Sequence, residues 1–245
     1  VTCLTCKKES RNGETTFRVR QGEEIVTYDC SCIAQWRLSR WMLNSGIDLQ
    51  YQHYSWDNVN TVDMMAKKIV LEYLDSSLAL VEKGVGLTLW SKDVGSGKTL
   101  LVTMLLKGLI AMGHEGYFTQ FNDMVNQHTA GWADQEERAW FDARIRNAGV
   151  LVIDDIGREN KGRSHIIEEM FDTVIRARDQ ACKPTFITTN YTPDEMKQGY
   201  GLNLLSLLSG KNIDAEVPGK DYRPIHLKQI VQDSVDGIDY PIVVS

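Results

Sequence analysis

The sequence predicts an α/β fold in which a central parallel sheet is flanked by helices on both faces, and three segments predict it. Val85-Gly86-Leu87-Thr88-Leu89-Trp90 reads as a buried strand running into the glycine turn Gly95-Ser96-Gly97, from which a helix leaves over 98–112. Val150-Leu151-Val152-Ile153 is an apolar strand that ends on Asp154 and Asp155, and Thr185-Phe186-Ile187-Thr188-Thr189 is a β-branched run that ends on Asn190. Helical stretches over 133–147 and 164–181 stand around these strands, and strands alternating with helices build parallel sheets covered on both sides.

With 245 residues, 42% of them hydrophobic and 24% charged, the chain can bury a proper core in one main domain and carry a small appendage. The 33 acidic residues outnumber the 27 basic ones, for a formal charge of −6. That balance argues against binding nucleic acid through overall positive charge and leaves only a local patch for it. No run comes near the ~18 uncharged apolar residues of a membrane span, and Val1-Thr2-Cys3 opens no basic-then-apolar signal. A cytoplasmic protein with no membrane contact is expected.

Cys3, Cys6, Cys30 and Cys32 form two close pairs near the start of the chain, whereas Cys182 stands alone. In a reducing compartment such pairs point to zinc, which takes four soft ligands in a tetrahedron, each short pair spanning adjacent corners. No histidine lies between the pairs, so the simplest ligand set is all cysteine, closed to substrate and structural. The alternative is four reduced thiols packed as small apolar groups, for which so short and polar a segment has little core.

Thr16–Arg20 and Glu24–Tyr28 alternate around Gly13 and Gly22 as a small hairpin, and Ile33 to Leu43 carries Trp36, Leu38, Trp41 and Met42 at helical spacing. Residues 1–45 are read as this zinc-binding β module. Residues 46–60, polar and aromatic with Tyr51, Tyr54 and Trp56, are read as a connector that docks onto something, and 61–245 as the main domain. From Thr61 to Glu82 apolar residues recur at helical spacing and predict one long helix, closed by Gly84.

Gly95-Ser96-Gly97-Lys98-Thr99 carries the GK[ST] end of a Walker A loop at a strand-to-helix junction, the context that motif requires. Its glycines let backbone N–H groups turn inward around phosphate oxygens, and the helix N-terminus adds partial positive charge. Gly95, Ser96, Gly97, Lys98, Thr99 and Leu100 are the candidate ATP contacts, with Lys98 on the β- and γ-phosphates and Thr99 on Mg²⁺. The first glycine of the usual GxxxxGK[ST] would be residue 92, and here it is Lys92.

A buried strand ending in an acid delivers it beside such a loop, because ligands of open parallel sheets sit at the carboxyl edge. Asp154 would hold Mg²⁺ through water and Asp155 would orient the attacking water. Asn190 brings an amide to the same edge, to bond the γ-phosphate or simply to start the turn Tyr191-Thr192-Pro193. Lys98, Asp154, Asp155 and Asn190 are thus the candidate catalytic set.

These residues together resemble the DnaC/DnaI family of bacterial and phage replicative-helicase loaders, a branch of the AAA+ ATPases related to the initiator DnaA. Carrying the resemblance are the cysteine-rich start, Ser45-Gly46-Ile47 with Tyr54-Ser55-Trp56-Asp57-Asn58, the Gly95–Thr99 loop, Val152-Ile153-Asp154-Asp155-Ile156-Gly157, Lys183-Pro184-Thr185 leading to Thr188-Thr189-Asn190, and Gly219-Lys220-Asp221-Tyr222-Arg223. The resemblance implies an AAA+ P-loop domain that binds ATP and single-stranded DNA, a zinc module that contacts a hexameric helicase, and loader subunits that assemble side by side. It also implies Asn190 as first sensor, Arg223 as a second-sensor cation on the nucleotide, and Arg178 on an exposed helix face or against a neighbouring subunit.

Ser206-Leu207-Leu208 stands where the family has a Ser-Arg-Leu segment, so the arginine finger is replaced by Leu207 and hydrolysis is expected to be slow. Such a finger is worth roughly 10³–10⁵ in rate where it has been tested. Two other readings share the core: a transposition-helper ATPase of the insertion-sequence type, which lacks a four-cysteine module, and a non-hydrolysing nucleotide-gated adaptor. The remaining basic residues, such as Lys67, Lys68, Lys107, Arg144 and Arg146, are dispersed as solvated charges. Arg158, Lys161 and Arg163 form the local cluster for DNA.

Overall fold

A computed structural model of the chain describes residues 16–21, 24–29, 32–56, 59, 62–157 and 164–236. β1 (Thr16–Gln21) and β2 (Glu24–Asp29) pair as an antiparallel hairpin and lead to α1 (Cys32–Leu43). Next come α2 (Leu49–Gln52), α3 (Met64–Asp75), α4 (Ser77–Glu82), β3 (Gly86–Trp90), α5 (Lys98–Ala111), β4 (Gly116–Gln120), α6 (Phe121–Ala130) and α7 (Gln135–Phe141). A π-helical turn over Asp142–Arg146 continues α7, and β5 (Val150–Ile156), α8 (Ser164–Gln180), β6 (Thr185–Thr189), α9 (Pro193–Tyr200), α10 (Leu202–Lys211), β7 (Asn212–Glu216) and α11 (Arg223–Val235) follow.

The expected parallel sheet is present: five strands in the order β4-β5-β6-β3-β7, every neighbouring pair parallel. Period-two alternation of side chains splits the core between its faces. Val150, Val152 and Phe186 point into one core with α3 and α5, whereas Leu151, Ile153 and Ile187 point into the other with α6, α8 and α10. The sequence reading did not mark β4 and β7. Both are edge strands, where short and half-polar segments suffice, and Asn212-Ile213-Asp214-Ala215-Glu216 buries little beyond Ala215.

Helix α5 is buried nearly all round, so it is the central helix of its layer. Each Leu or Met it buries contributes on the order of 1.5–3 kcal/mol. A Cβ on Gly108 would come within 2.9 Å of both Leu74 methyl carbons, so glycine here lets α3 close onto α5. Met42, Ile47 and Val59 enter the same core, so the end of α1 and the connector pack on the layer that carries the phosphate loop.

Three expectations are corrected. The single helix predicted over Thr61 to Glu82 is two, α3 and α4, because Ser76 leaves helical geometry at φ −101°, ψ 7°. The run Asp75-Ser76-Ser77 offers short polar side chains that compete for the backbone, and the amide of Ser76 caps the carbonyls of Glu72 and Tyr73.

Lys107 is not a solvated charge: it is fully buried, donating to the carbonyls of Gln52 and Tyr54 and so pinning the connector to α5. Lys67 does the same from α3, donating to the carbonyls of Trp56 and Val59.

Arg178 is neither exposed nor available to a neighbouring subunit. Its relative exposure is 0%, and it donates to the carbonyls of Ile145 (3.0 Å), Arg146 (3.3 Å), Ala148 (2.8 Å) and Pro184 (2.7 Å) and to the Thr185 hydroxyl (2.9 Å). The guanidinium fork thus satisfies the end of the π-helical turn and the starts of β5 and β6 together.

Candidate functional site

The strand order brings three strand ends side by side. β6 lies between β3 and β5, so the phosphate loop after β3, the polar end of β6 and the acidic end of β5 share one carboxyl edge. The loop turns through left-handed backbone at Gly95 (φ +75°) and Gly97 (φ +94°), a conformation that costs a side-chain-bearing residue more than glycine. Lys98 and Ser96 are buried in it, and the Lys98 ammonium donates to the Asp93 carbonyl (3.2 Å) and the Ser96 hydroxyl (3.4 Å). Leu100 faces the core beneath the loop.

Thr99 and Asp154 meet across β6. The Thr99 hydroxyl stands 3.1 Å from each carboxylate oxygen of Asp154, which is 3% exposed. Thr188, on the strand between them, donates its hydroxyl to Asp154 Oδ1 (2.5 Å) and accepts the Asp155 amide (2.9 Å).

Strict alternation would turn Asp154 and Asp155 to opposite faces of the sheet. Instead the pairing of β5 with β6 shifts register between Ile153 and Ile156, and Asp155 takes φ +58°. The bulge re-aims Asp155 toward the same edge, where Asn190 Nδ2 lies 3.5 Å from its Oδ1.

Burial lifts the Asp154 carboxyl from 3.8 to about 6. The neighbouring Asp155 adds to the shift, whereas hydrogen bonds from Thr188 and Thr99 and the charge of Lys98 pull it back. A desolvated carboxylate next to a threonine hydroxyl is a hard-oxygen donor set, the kind that binds Mg²⁺ together with water and phosphate oxygens. The glycine turn at a helix N-terminus with a buried lysine suits a polyphosphate. The residues therefore fit a magnesium nucleotide, with Thr99 and Asp154 as the groups that would hold the metal.

Arg223 is exposed at the start of α11, its amide bonded to Asp221 Oδ1 (3.0 Å). The segment before it lies on the phosphate loop: the Gly219 amide donates to Asp93 Oδ2 (3.1 Å), the Tyr222 amide to the Gly95 carbonyl (3.1 Å), and a Cβ on Gly95 would stand 2.1 Å from Asp221 Oδ1. Leu207 is half-buried against the second core. Cys3, Cys6, Cys30, Arg158, Lys161 and Arg163 lie outside the described residues, and Cys32 enters only as the first residue of α1. Among the described residues no group of three or more His, Cys, Asp or Glu is placed to hold a metal.

Four residues with no assigned part in the sequence reading belong to this edge. Thr188 was legible only as one hydroxyl in a β-branched run. Tyr51 was legible only as connector aromatic; burial raises its hydroxyl pKa, the negative charges of Asp154, Asp48 and Asp155 raise it further and Arg223 opposes them, so the connector reaches the site's field. Lys92 pairs with Glu195, and Glu195 closes a capping box with Thr192 at the start of α9. The T-x-x-E spacing ahead of a helix was a readable signal for that cap.

No protein-family model matches the chain. The replicative helicase loader DnaI of Bacillus subtilis is 30% identical over 120 residues, a stretch that covers 48% of this chain and 37% of the relative, so the match spans little more than a third of that protein. The crystal structure of the DnaC helicase loader superposes with a TM-score of 0.59 at 23% identity, covering 70% of this chain and 100% of that one. The replication initiator DnaA bound to AMPPCP and single-stranded DNA gives a TM-score of 0.57 at 16% identity, covering 79% and 59%. With a five-stranded parallel sheet and a phosphate loop at its carboxyl edge, the chain has the α/β AAA+ fold of these DnaC and DnaA structures.

Proposed function

We propose that this chain is an ATP-dependent loader of a hexameric replicative helicase onto single-stranded DNA, acting in the cytoplasm as an oligomeric AAA+ switch. The observation that carries the reading is the Thr99–Asp154 contact across β6 beside Lys98, because it brings together from distant parts of the chain a hydroxyl and a carboxylate suited to magnesium and a lysine suited to phosphate. The likeness to DnaI and DnaC supports helicase loading as the use of that site.

In this reading the loop amides and Lys98 hold and orient the phosphates. Magnesium, when bound, supplies charge neutralisation on the phosphate oxygens. Asp155 orients the attacking water, Asn190 bonds the terminal phosphate and the same water, and Arg223 approaches the nucleotide from α11. Cys3, Cys6, Cys30 and Cys32 bind zinc and present the N-terminal module to the helicase, and Arg158, Lys161 and Arg163 face single-stranded DNA in the oligomer.

Calorimetry with Mg-ATP tests the site: wild-type protein is expected to bind and Lys98→Ala to lose binding. Absence of heat with the wild type would sink the reading. Capture of a hexameric replicative helicase by the full chain, and not by a chain lacking 1–45, tests the use.

Leu207 favours a second reading, the non-hydrolysing adaptor, since a half-buried leucine cannot serve as a trans cation. ATP turnover indistinguishable from that of Lys98→Ala, with binding intact, selects the adaptor.

A further inference from the structure

The backbone of β3 and β6 stays tied as far as the Ser91 amide, which donates to the Thr189 carbonyl at 3.2 Å. Beyond that bond the two chains part, one into the phosphate loop and the other into Asn190-Tyr191-Thr192. Lys92 and Glu195 span the gap. The Lys92 ammonium pairs with Glu195 Oε1, while Glu195 Oε2 accepts the Thr192 amide (2.8 Å) and the Thr192 hydroxyl (3.2 Å). One carboxylate therefore holds the start of the phosphate loop with one oxygen and the turn after Asn190 with the other.

Loop geometry does not explain the lysine. Residue 92 is where GxxxxGK[ST] has glycine, yet Lys92 is not among the described residues with positive φ, so its backbone makes no demand for glycine. The pair is half-exposed, 54% and 40%, so its effect on stability is small and a role in geometry can be read apart from folding. Hydrogen bonding from Lys92, and then from the Thr192 amide, holds the Glu195 carboxyl below its ordinary range.

We propose that Lys92 and Glu195 are a positioning pair for the third phosphate: they lock the phosphate loop to the Asn190 turn, so that Asn190 meets the terminal phosphate of a nucleoside triphosphate at a set distance. The proposal rests on the reading of this edge as a Mg-ATP site. Neither residue touches nucleotide in it; the pair acts through Asn190, so it governs discrimination of ATP from ADP and leaves ADP binding alone.

The test is the ratio of Mg-ATP to Mg-ADP affinity for Lys92→Ala, Glu195→Gln, the double variant and Lys92→Arg, measured by calorimetry on the full chain. Gln keeps the capping box of α9, so Glu195→Gln removes the ion pair without unpinning the helix. Each single variant is expected to lower the ATP-over-ADP ratio about two- to five-fold, the size an exposed ion pair supports, with ADP affinity unchanged. The double variant is expected to be no worse than either single one, and Lys92→Arg to restore the ratio. An unchanged ratio in wild-type-like folded variants overturns the proposal and leaves the Mg-ATP reading standing. Additive losses that fall on ADP as heavily as on ATP also overturn it, since Lys92 would then act on phosphate directly. A wild-type chain that binds neither nucleotide removes the Mg-ATP reading and this pair with it.

Discussion

Arg178 and Lys107 are buried cations, and both are satisfied by backbone carbonyl oxygens. Burial pulls the Arg178 guanidinium down to about 9, still charged at neutral pH. Arg178→Met would strip a donor from four carbonyls and one hydroxyl, and a loss of about 3–5 kcal/mol in urea unfolding is expected. Arg178→Lys should recover little of it, because a point-like ammonium cannot reproduce the fork. An unchanged urea midpoint would contradict the role.

Burial pulls Lys107 from 10.5 to about 8. A lowered folded-state value means that the folded chain gives up this proton before the unfolded chain does. Stability therefore rises as pH climbs from about 8 toward 10.5. Urea midpoints across that window should climb more for wild type than for Lys107→Met, and parallel curves would refute the assignment. Neither residue could be recognised in sequence: a lysine amid Leu105, Leu106 and Leu109 looks the same whether its far side meets water or a connector more than fifty residues away.

At the scale of elements, β5 and β6 make the site by departing from regularity in one place. The bulge at Asp155 puts two consecutive carboxylates on one edge, and Thr188 serves both, donating to Asp154 and accepting from the amide of Asp155. Thr188→Val would leave the buried Asp154 with one hydroxyl donor fewer and take from the Asp155 amide the hydroxyl that accepts it. Mg-ATP affinity should fall about tenfold in calorimetry, whereas Thr188→Ser should hold it. Equal affinity for the valine variant would show that the strand contributes spacing alone.

Gly95→Ala should cost more than the same change at Gly113, although both have positive φ. A Cβ at 95 meets Asp221 at 2.1 Å, while at 113 nothing lies within 4 Å. The melting temperatures of the two variants provide the comparison. Strand, loop and helix were each visible in sequence through their apolar runs and glycines, but the bulge was not, because Ile153-Asp154-Asp155-Ile156 is compatible with an unbroken strand.

At the scale of the molecule, the carboxyl edge that carries Lys98, Thr99 and Asp154 draws on the main sheet and the segments packed on it, and among the described residues none of its hydrogen-bonding groups comes from β1 or β2. On the proposed zinc module, a chelator is therefore expected to abolish the proposed helicase capture and leave Mg-ATP binding intact, as read by pull-down and calorimetry on one sample. Loss of both would mean that the module supports the site. With a formal charge of −6, the proposed DNA contact would rest on a local patch, so charge reversal at Arg158, Lys161 and Arg163 is expected to weaken single-strand binding and flatten its salt dependence.

The amino-acid sequence by itself determined the fold class, the phosphate loop, the acidic strand end and the polar strand end. Each of these is written in neighbouring residues, through two-residue alternation, helical spacing and the backbone freedom of glycine. Only the tertiary structure decided that β6 lies between the other two strands so that Thr188 bridges Asp154 and Asp155, that Arg178 faces inward, and that Lys92 reaches Glu195. Those are contacts between residues distant along the chain, set by strand order and burial, and no local pattern of residue types carries that information.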